Sequence, residues 1–183
     1  MEMNIKELFE VGVSFESAVG VGTKEERARV VKNTSRINLP NDLVEEVKNF
    51  DKEINFLVSG EIFCPDFQLN VSVVKRLCDL NQNFNMSVIS ITRGKKFLAP
   101  ILKIENYKAP TIAVLDKDMN VLGVFEETPK VVSAIGNFEE IKLNYFKGEY
   151  LIDTAKEIVD YIKNVIKNIV KRDKVNLSLF FYA

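Results

Sequence analysis

The sequence predicts an α/β fold with a mixed central sheet, preceded by a helical N-terminal extension and closed by a long C-terminal helix. Three observations carry this. A β-branched run, a helical repeat and a second β-branched run follow one another between Ile54 and Thr92, the order of a parallel strand–helix–strand unit. Two short apolar runs, Thr111 to Leu115 and Val121 to Phe125, flank the turn Asp116-Lys117-Asp118-Met119-Asn120 at the spacing of a hairpin. Ten apolar residues between Leu151 and Val170 recur every three or four positions, as on one face of an amphipathic helix.

Taken in order, residues 1–50 read as short helices separated by breakers. Asn4 with Glu7 and Thr23 with Glu26 have capping-box spacing, and Pro40 falls just ahead of Leu43, Val44, Val47 and Phe50. Gly20-Val21-Gly22 has no strand before it and lacks a third glycine, so it reads as a helix break followed by an N-cap rather than a phosphate loop. Ile54 to Ser59 is the first strand. Val73, Val74, Leu77, Leu80 and Phe84 then mark a helix between Pro65 and Asn85, and Met86 to Thr92 is the second strand. A further helix fits between Lys96 and Lys103, and Pro110 opens the hairpin. On the final helix Asp153, Lys156, Glu157, Asp160, Lys163 and Lys167 lie off the apolar stripe, which predicts packing on the chain's own sheet and a monomer. About three heptads is near the lower limit for a coiled coil, so a homodimer through this helix is the alternative. The tail Val175 to Ala183 ends in Leu179-Phe180-Phe181-Tyr182 and is expected to be covered.

With 183 residues the chain matches one domain, read as an extension over 1–50, a core over 51–140, and a helix and tail over 141–183. Its 25 Lys and Arg against 26 Asp and Glu give no basic footprint for nucleic acid. The longest uncharged stretch, Leu80 to Thr92, is too short and polar to cross a bilayer. The N-terminus lacks the basic and apolar regions of a secretory signal, which predicts a cytoplasmic chain with both cysteines as thiols. There is no histidine, which excludes Ser-His-Asp and Cys-His hydrolysis. With only Cys64 and Cys78 remaining, nitrogen and sulfur ligands cannot assemble a structural metal site, and no cofactor is expected.

Chemistry concentrates in Glu61-Ile62-Phe63-Cys64-Pro65-Asp66-Phe67, just past the C-terminal end of the first strand, where open α/β sheets place their sites. Pro65 suits the first helical position and leaves Cys64 at the N-cap, where unpaired N–H groups and the helix dipole favour a thiolate. Asp66 opposes this by like charge, so the expectation is a moderately depressed thiol pKa. Arg93, at the end of the second strand, is expected on the same sheet edge, where it could stabilise the thiolate or orient an anionic thiol. A loop arginine beside Gly94, Lys95 and Lys96 is the plainer reading.

The strand-Cys-Pro-Asp-helix arrangement, the strand order, and Ala109-Pro110-Thr111 ahead of the hairpin together resemble the thioredoxin superfamily over about residues 52 to 138. The motif is most similar to that of a bacterial branch carrying Trp-Cys-Pro-Asp-Cys, here Phe63-Cys64-Pro65-Asp66-Phe67. The resemblance implies a three-layer α/β/α fold, a cis Pro110 facing Cys64, and pairing of the Ala109 backbone with an extended substrate chain. It also implies protein or small-molecule thiols and disulfides as partners, met in a groove for which Pro65, Asp66, Ala109 and Pro110 carry over from the family and to which Phe63, Phe67 and Arg93 are added by their place in this chain.

Two departures narrow that function. The resolving cysteine would fall at Phe67, and the buried acid that many thioredoxins carry falls at Val58. Cys78 lies about 14 residues along the same helix, or about 21 Å at 1.5 Å per residue, whereas a disulfide needs Cα atoms within about 7 Å. It reads as a small buried apolar residue. The expectation is a thiol oxidoreductase working through Cys64 alone. The alternatives are a redox-inactive binding module on the same fold, in which Phe67 fills the space of the missing thiol, and a structural role that uses the fold only as scaffold.

Overall fold

The structure, a computed structural model, describes residues 3–164. The extension forms four helices: α1 (Ile5–Glu10), α2 (Phe15–Gly20), α3 (Lys24–Thr34) and α4 (Asn41–Lys48). Asn4 and Thr23 each close a reciprocal capping box, with Glu7 and Glu26 reaching back to the cap N–H, so Gly20 to Gly22 is indeed a break between capped helices.

Strand β1 (Ile54–Ser59) is buried along its whole length, because it is central: β2 (Phe84–Ile89) pairs with it in parallel and β3 (Thr111–Asp116) antiparallel, and β4 (Val121–Glu126) completes the hairpin in the order β2-β1-β3-β4. Alternation along β1 separates two cores. Ile54, Phe56 and Val58 join Val30 of α3, Val47 of α4 and Leu77 of α5 (Ser72–Leu80) on one face, and Leu57 joins Leu8 of α1 and Leu98 on the other. The result is the expected α/β/α layering. On β4 a bulge opposite Val114/Leu115 turns Leu122 and Phe125, three apart in sequence, toward the same core.

Two boundaries differ from the sequence reading. The helix ahead of β2 ends at Leu80, where Asn81 turns its amide to the carbonyls of Val47 and Phe50, at 2.6 and 2.7 Å. Strand β2 stops at Ile89 because the Ser90 side chain accepts a bond from the Arg93 N–H and starts a helix through β-branched Ile91 and Thr92. Capping here overrides β propensity. That helix runs through α6 (Ile91–Arg93), a π turn at Gly94–Leu98 and α7 (Ala99–Leu102).

The extension also guards an edge. Val13 exchanges both backbone bonds with Val88 on the free side of β2, at 2.9 and 2.8 Å, so that edge is partly paired. Gly12 is required there, since a Cβ would lie 2.0 Å from Ser87 Oγ.

After β4 come α8 (Lys130–Ser133), α9 (Phe138–Phe146) and a helix over 151–164, α10. On α10 Leu151, Ala155, Ile158, Val159 and Ile162 are buried in the first core, and Asn164 donates to the Leu122 carbonyl at 3.0 Å. The first part of the predicted stripe is therefore covered by this chain. Its continuation, Val165 to Val170, and the tail Val175 to Ala183 lie outside the described residues. Among the described residues no helix is long and apolar enough to cross a membrane.

Candidate functional site

Cys64 caps the helix that leads into α5. Its carbonyl accepts the Gln68 N–H at 3.1 Å, its N–H is bound by the Glu61 carbonyl at 3.0 Å, and Pro65 follows as the first helical residue. The helix then widens into a π turn, Phe67–Val71, before α5 begins. Such turns redirect side chains relative to a regular helix. Gln68 is held from the extension by Arg29 at 3.0 Å and anchors the Ile62 carbonyl at 2.6 Å, while Asn33 donates to the Gln68 carbonyl at 3.1 Å. Helix α3 thus braces the loop that carries Cys64.

The thiol is half-buried, with Sγ 3.5 Å from the Ala109 carbonyl and 3.9 Å from Asp66 Oδ2. The Ala109–Pro110 bond is cis. Phe67 has no exposed surface, and its ring lies against Gly60, where a Cβ would come within 2.6 Å of it. Phe67 is thus a packed core side chain. Val58, at the place of the absent buried acid, is fully buried. Cys78, further along the helix, is packed at the edge of the core, and burial pushes its thiol up to about 12.

The electrostatics correct one expectation. The Cys64 thiol lies above its ordinary pKa, first because of burial and then because of the Asp66 and Glu127 carboxylates. The N–H groups of Phe67 and Asp66 do favour the thiolate, as a helix start should, but desolvation and two acids outweigh them. A second correction concerns Arg93. It is exposed and donates to the Val11 carbonyl at 3.3 Å, so it ties the extension to the sheet edge instead of facing the thiol.

Asp66 is the centre of a chain of hydrogen bonds that local sequence did not disclose. Tyr145 of α9 donates to its Oδ1 at 2.7 Å, Asn70 of the π turn donates to the Tyr145 hydroxyl at 2.9 Å and to the Glu127 carbonyl at 2.9 Å, and Thr154 of α10 donates to Asn70 Oδ1 at 2.7 Å. Tyr145, Asn70 and Thr154 are all buried. Burial raises the Asp66 carboxyl above the usual range, and the Tyr145 hydroxyl opposes that rise. Tyr145 itself is pushed up by burial and by Asp66.

A cleft of about 260 Å³ opens beside Asp66, lined by Lys108, Glu127, Thr128, Phe138 and Phe146 among others, with Lys108 and Glu127 paired at 3.0 Å. Glu127 holds a left-handed backbone, φ 62°, and its N–H binds the Pro110 carbonyl at 2.7 Å. On the other side, exposed Phe63 lines a more apolar groove of about 420 Å³ with Val13, Val21 and Ile62. Of the predicted groove residues, Asp66 and the Ala109 carbonyl lie against the Cys64 sulfur, Pro65 and Pro110 adjoin them along the chain, Phe63 lines the apolar groove on the other side, Phe67 is packed against Gly60, and the Arg93 guanidinium is bound to the Val11 carbonyl. Glu127, Lys108 and Tyr145 were missed; each comes from an element distant in sequence.

A family model described as thioredoxin matches residues 12–142. Among solved structures, a Pseudomonas aeruginosa protein of unknown function, seen in a crystal at 1.5 Å, shares 29% identity over 89% of this chain and 99% of its own, with a TM-score of 0.84. An HIV epitope scaffold shares 29% identity over 88% of this chain and 98% of its own, with a TM-score of 0.82. No curated protein matches the sequence. The family match covers the extension from Gly12, the sheet, the Cys64 helix and the cis-proline strand that the geometry had brought together, and the chain belongs to the thioredoxin family.

Proposed function

We propose that this protein carries out thiol–disulfide exchange through a single cysteine, in the manner of a Trp-Cys-Pro-Asp-Cys thioredoxin that has lost its second thiol. The observation that carries the reading is the placement of Cys64: half-buried at a helix N-terminus, 3.5 Å from the carbonyl ahead of the cis proline, with fully buried Phe67 where a resolving cysteine would stand. In the first step Cys64 sulfur bonds to one sulfur of a substrate disulfide, the substrate S–S bond breaks, and the departing sulfur leaves as a thiol. In the second an external thiol attacks the substrate sulfur of the mixed disulfide; the new S–S bond forms there as the Cys64–substrate S–S bond breaks, so Cys64 returns as a thiol and the substrate leaves as a disulfide with the external thiol. A reducing cytoplasm would supply that thiol. The raised pKa of Cys64 favours a second reading, a binding module that keeps the groove but not turnover, because less thiolate is present at neutral pH.

The two readings separate in an insulin-reduction assay. With thioredoxin reductase as the sole electron source, the single-thiol protein is expected to give negligible turnover. With a monothiol such as glutathione added, reduction should appear and should vanish in Cys64→Ser. Monothiol-dependent reduction that is unchanged in Cys64→Ser would overturn the exchange reading.

A further inference from the structure

A thiol that attacks a disulfide must lose its proton, and the groups around Cys64 Sγ offer few acceptors. The Ala109 carbonyl at 3.5 Å is too weak a base, and the nearby cation, Lys108, is paired with Glu127. Asp66 Oδ2, at 3.9 Å, is the carboxylate oxygen within reach of the sulfur. Which way the protons point in the chain behind it follows from donor and acceptor types. The Glu127 carbonyl can only accept, so Asn70 must present its amide nitrogen to it, and the same nitrogen then donates to the Tyr145 oxygen. Thr154 caps the other end of the amide by donating to Asn70 Oδ1. The single Tyr145 proton is left pointing at Asp66 Oδ1. The Tyr145 hydroxyl is thus held as a donor to Asp66, with Oδ1 occupied and Oδ2 turned to the sulfur.

We propose that Asp66 is the proton acceptor for Cys64 and that Tyr145 is the positioning residue that aims it, an inference that rests on the single-thiol exchange reading above. The Cys64 S–H bond breaks with its proton passing to Asp66 Oδ2. The sulfur's electron pair forms the new S–S bond, and the departing substrate sulfur takes the pair of the broken S–S bond. Asp66 returns the proton to that sulfur, leaving a thiol and the original carboxylate. Cys64 is oxidised to a mixed disulfide and the departing substrate sulfur is reduced, so no further reagent enters. When the external thiol attacks, Asp66 takes its proton and returns it to Cys64.

A bystander carboxylate makes the opposite prediction. Asp66→Asn removes a like charge and should lower the Cys64 pKa in either case. If Asp66 only burdens the thiolate, exchange below that pKa becomes faster in the variant. If it accepts the proton, exchange becomes slower although more thiolate is present. The groups facing Asp66 are Cys64 on its own helix, Glu127 after β4, Lys108 ahead of β3 and Tyr145 on α9. Of these, the hydroxyl of Tyr145 stabilises the charged carboxyl, so Tyr145→Phe should raise the Asp66 pKa and move the acid limb of the rate profile to higher pH.

The test uses the full chain with Cys78→Ala, neutral hydroxyethyl disulfide as probe, thiolate absorbance to titrate Cys64, and intact mass to follow the adduct across pH. The expected result for Asp66→Asn is a lower thiol pKa with exchange at neutral pH slower by about tenfold or more. For Tyr145→Phe, which keeps its ring among Phe138, Phe146 and Tyr150, it is an acid limb displaced upward. Exchange in Asp66→Asn that is unchanged or faster, or an acid limb unmoved in Tyr145→Phe, overturns the assignment while leaving single-thiol exchange standing. A folded parent chain that forms no adduct at any pH, when its unfolded form does, removes the exchange reading and this one together.

Discussion

Cys64 illustrates how opposing local effects combine at one atom. The N–H groups of a helix start pull its pKa down, while burial and two carboxylates push it up, and the second group prevails. Asp66, with Oδ2 3.9 Å from the sulfur, weighs on the thiol more than Glu127 does, so Asp66→Asn should lower its pKa by more than Glu127→Gln, as read from the pH dependence of alkylation. An equal or reversed order would mean that Glu127 lies closer to the sulfur than the structure places it. Cys78 gives a stability prediction of definite sign. Its thiol, ordinarily near 9, is raised to about 12 by burial, so between those pH values the unfolded chain releases a proton that the folded chain keeps. Stability must fall as pH rises through that window, and the contribution is complete below it. Urea midpoints should therefore decline more steeply for the native protein than for Cys78→Ala, and parallel declines would contradict the burial of that thiol.

Among the elements, the helix from Cys64 to α5 carries the packing on which the proposed single-thiol exchange depends. Phe67 fills the space behind Gly60, so Phe67→Cys should lose about 2 to 4 kcal/mol of packing and create a disulfide with Cys64 on mild oxidation, visible as a two-proton mass loss. No internal disulfide would mean that the π turn holds the two side chains apart. What sequence disclosed at this scale follows the range of the interactions. Strand β1 and the hairpin were legible because apolar runs are bounded by Gly60, Pro110 and the Asp116–Asn120 turn, all local signals. The end of β2 was misplaced because the Ser90 cap, one hydroxyl, outweighs two β-branched residues. Cys64 and Pro110 were legible through motif spacing. Tyr145 was not, since its bond to Asp66 spans 79 residues and nothing around it in sequence marks it.

For the whole molecule, the described part of α10 is consumed within the chain: Ile158 is 0% and Ile162 1% exposed. We expect a monomer of 20.9 kDa in solution. Ile158→Lys should destabilise the fold by more than about 3 kcal/mol, since it buries an unpaired charge, and should not merely split a dimer. A light-scattering mass of twice that value, reverting to one copy in a folded Ile158→Lys protein, would show that the helix serves association. The same helix carries Thr154 into the hydrogen-bond chain that ends at Asp66, so the C-terminal part of the fold and the Cys64 site are built as one unit.

Whether Cys64 alone forms and releases a mixed disulfide can be read from intact mass. The folded Cys78→Ala protein is incubated with a neutral disulfide, freed of reagent, and then given a monothiol. One adduct is expected, absent in Cys64→Ser, that the monothiol removes to regenerate the starting mass through repeated cycles. A folded protein whose Cys64 stays unmodified while the unfolded chain reacts, or whose adduct the monothiol cannot remove, would contradict it.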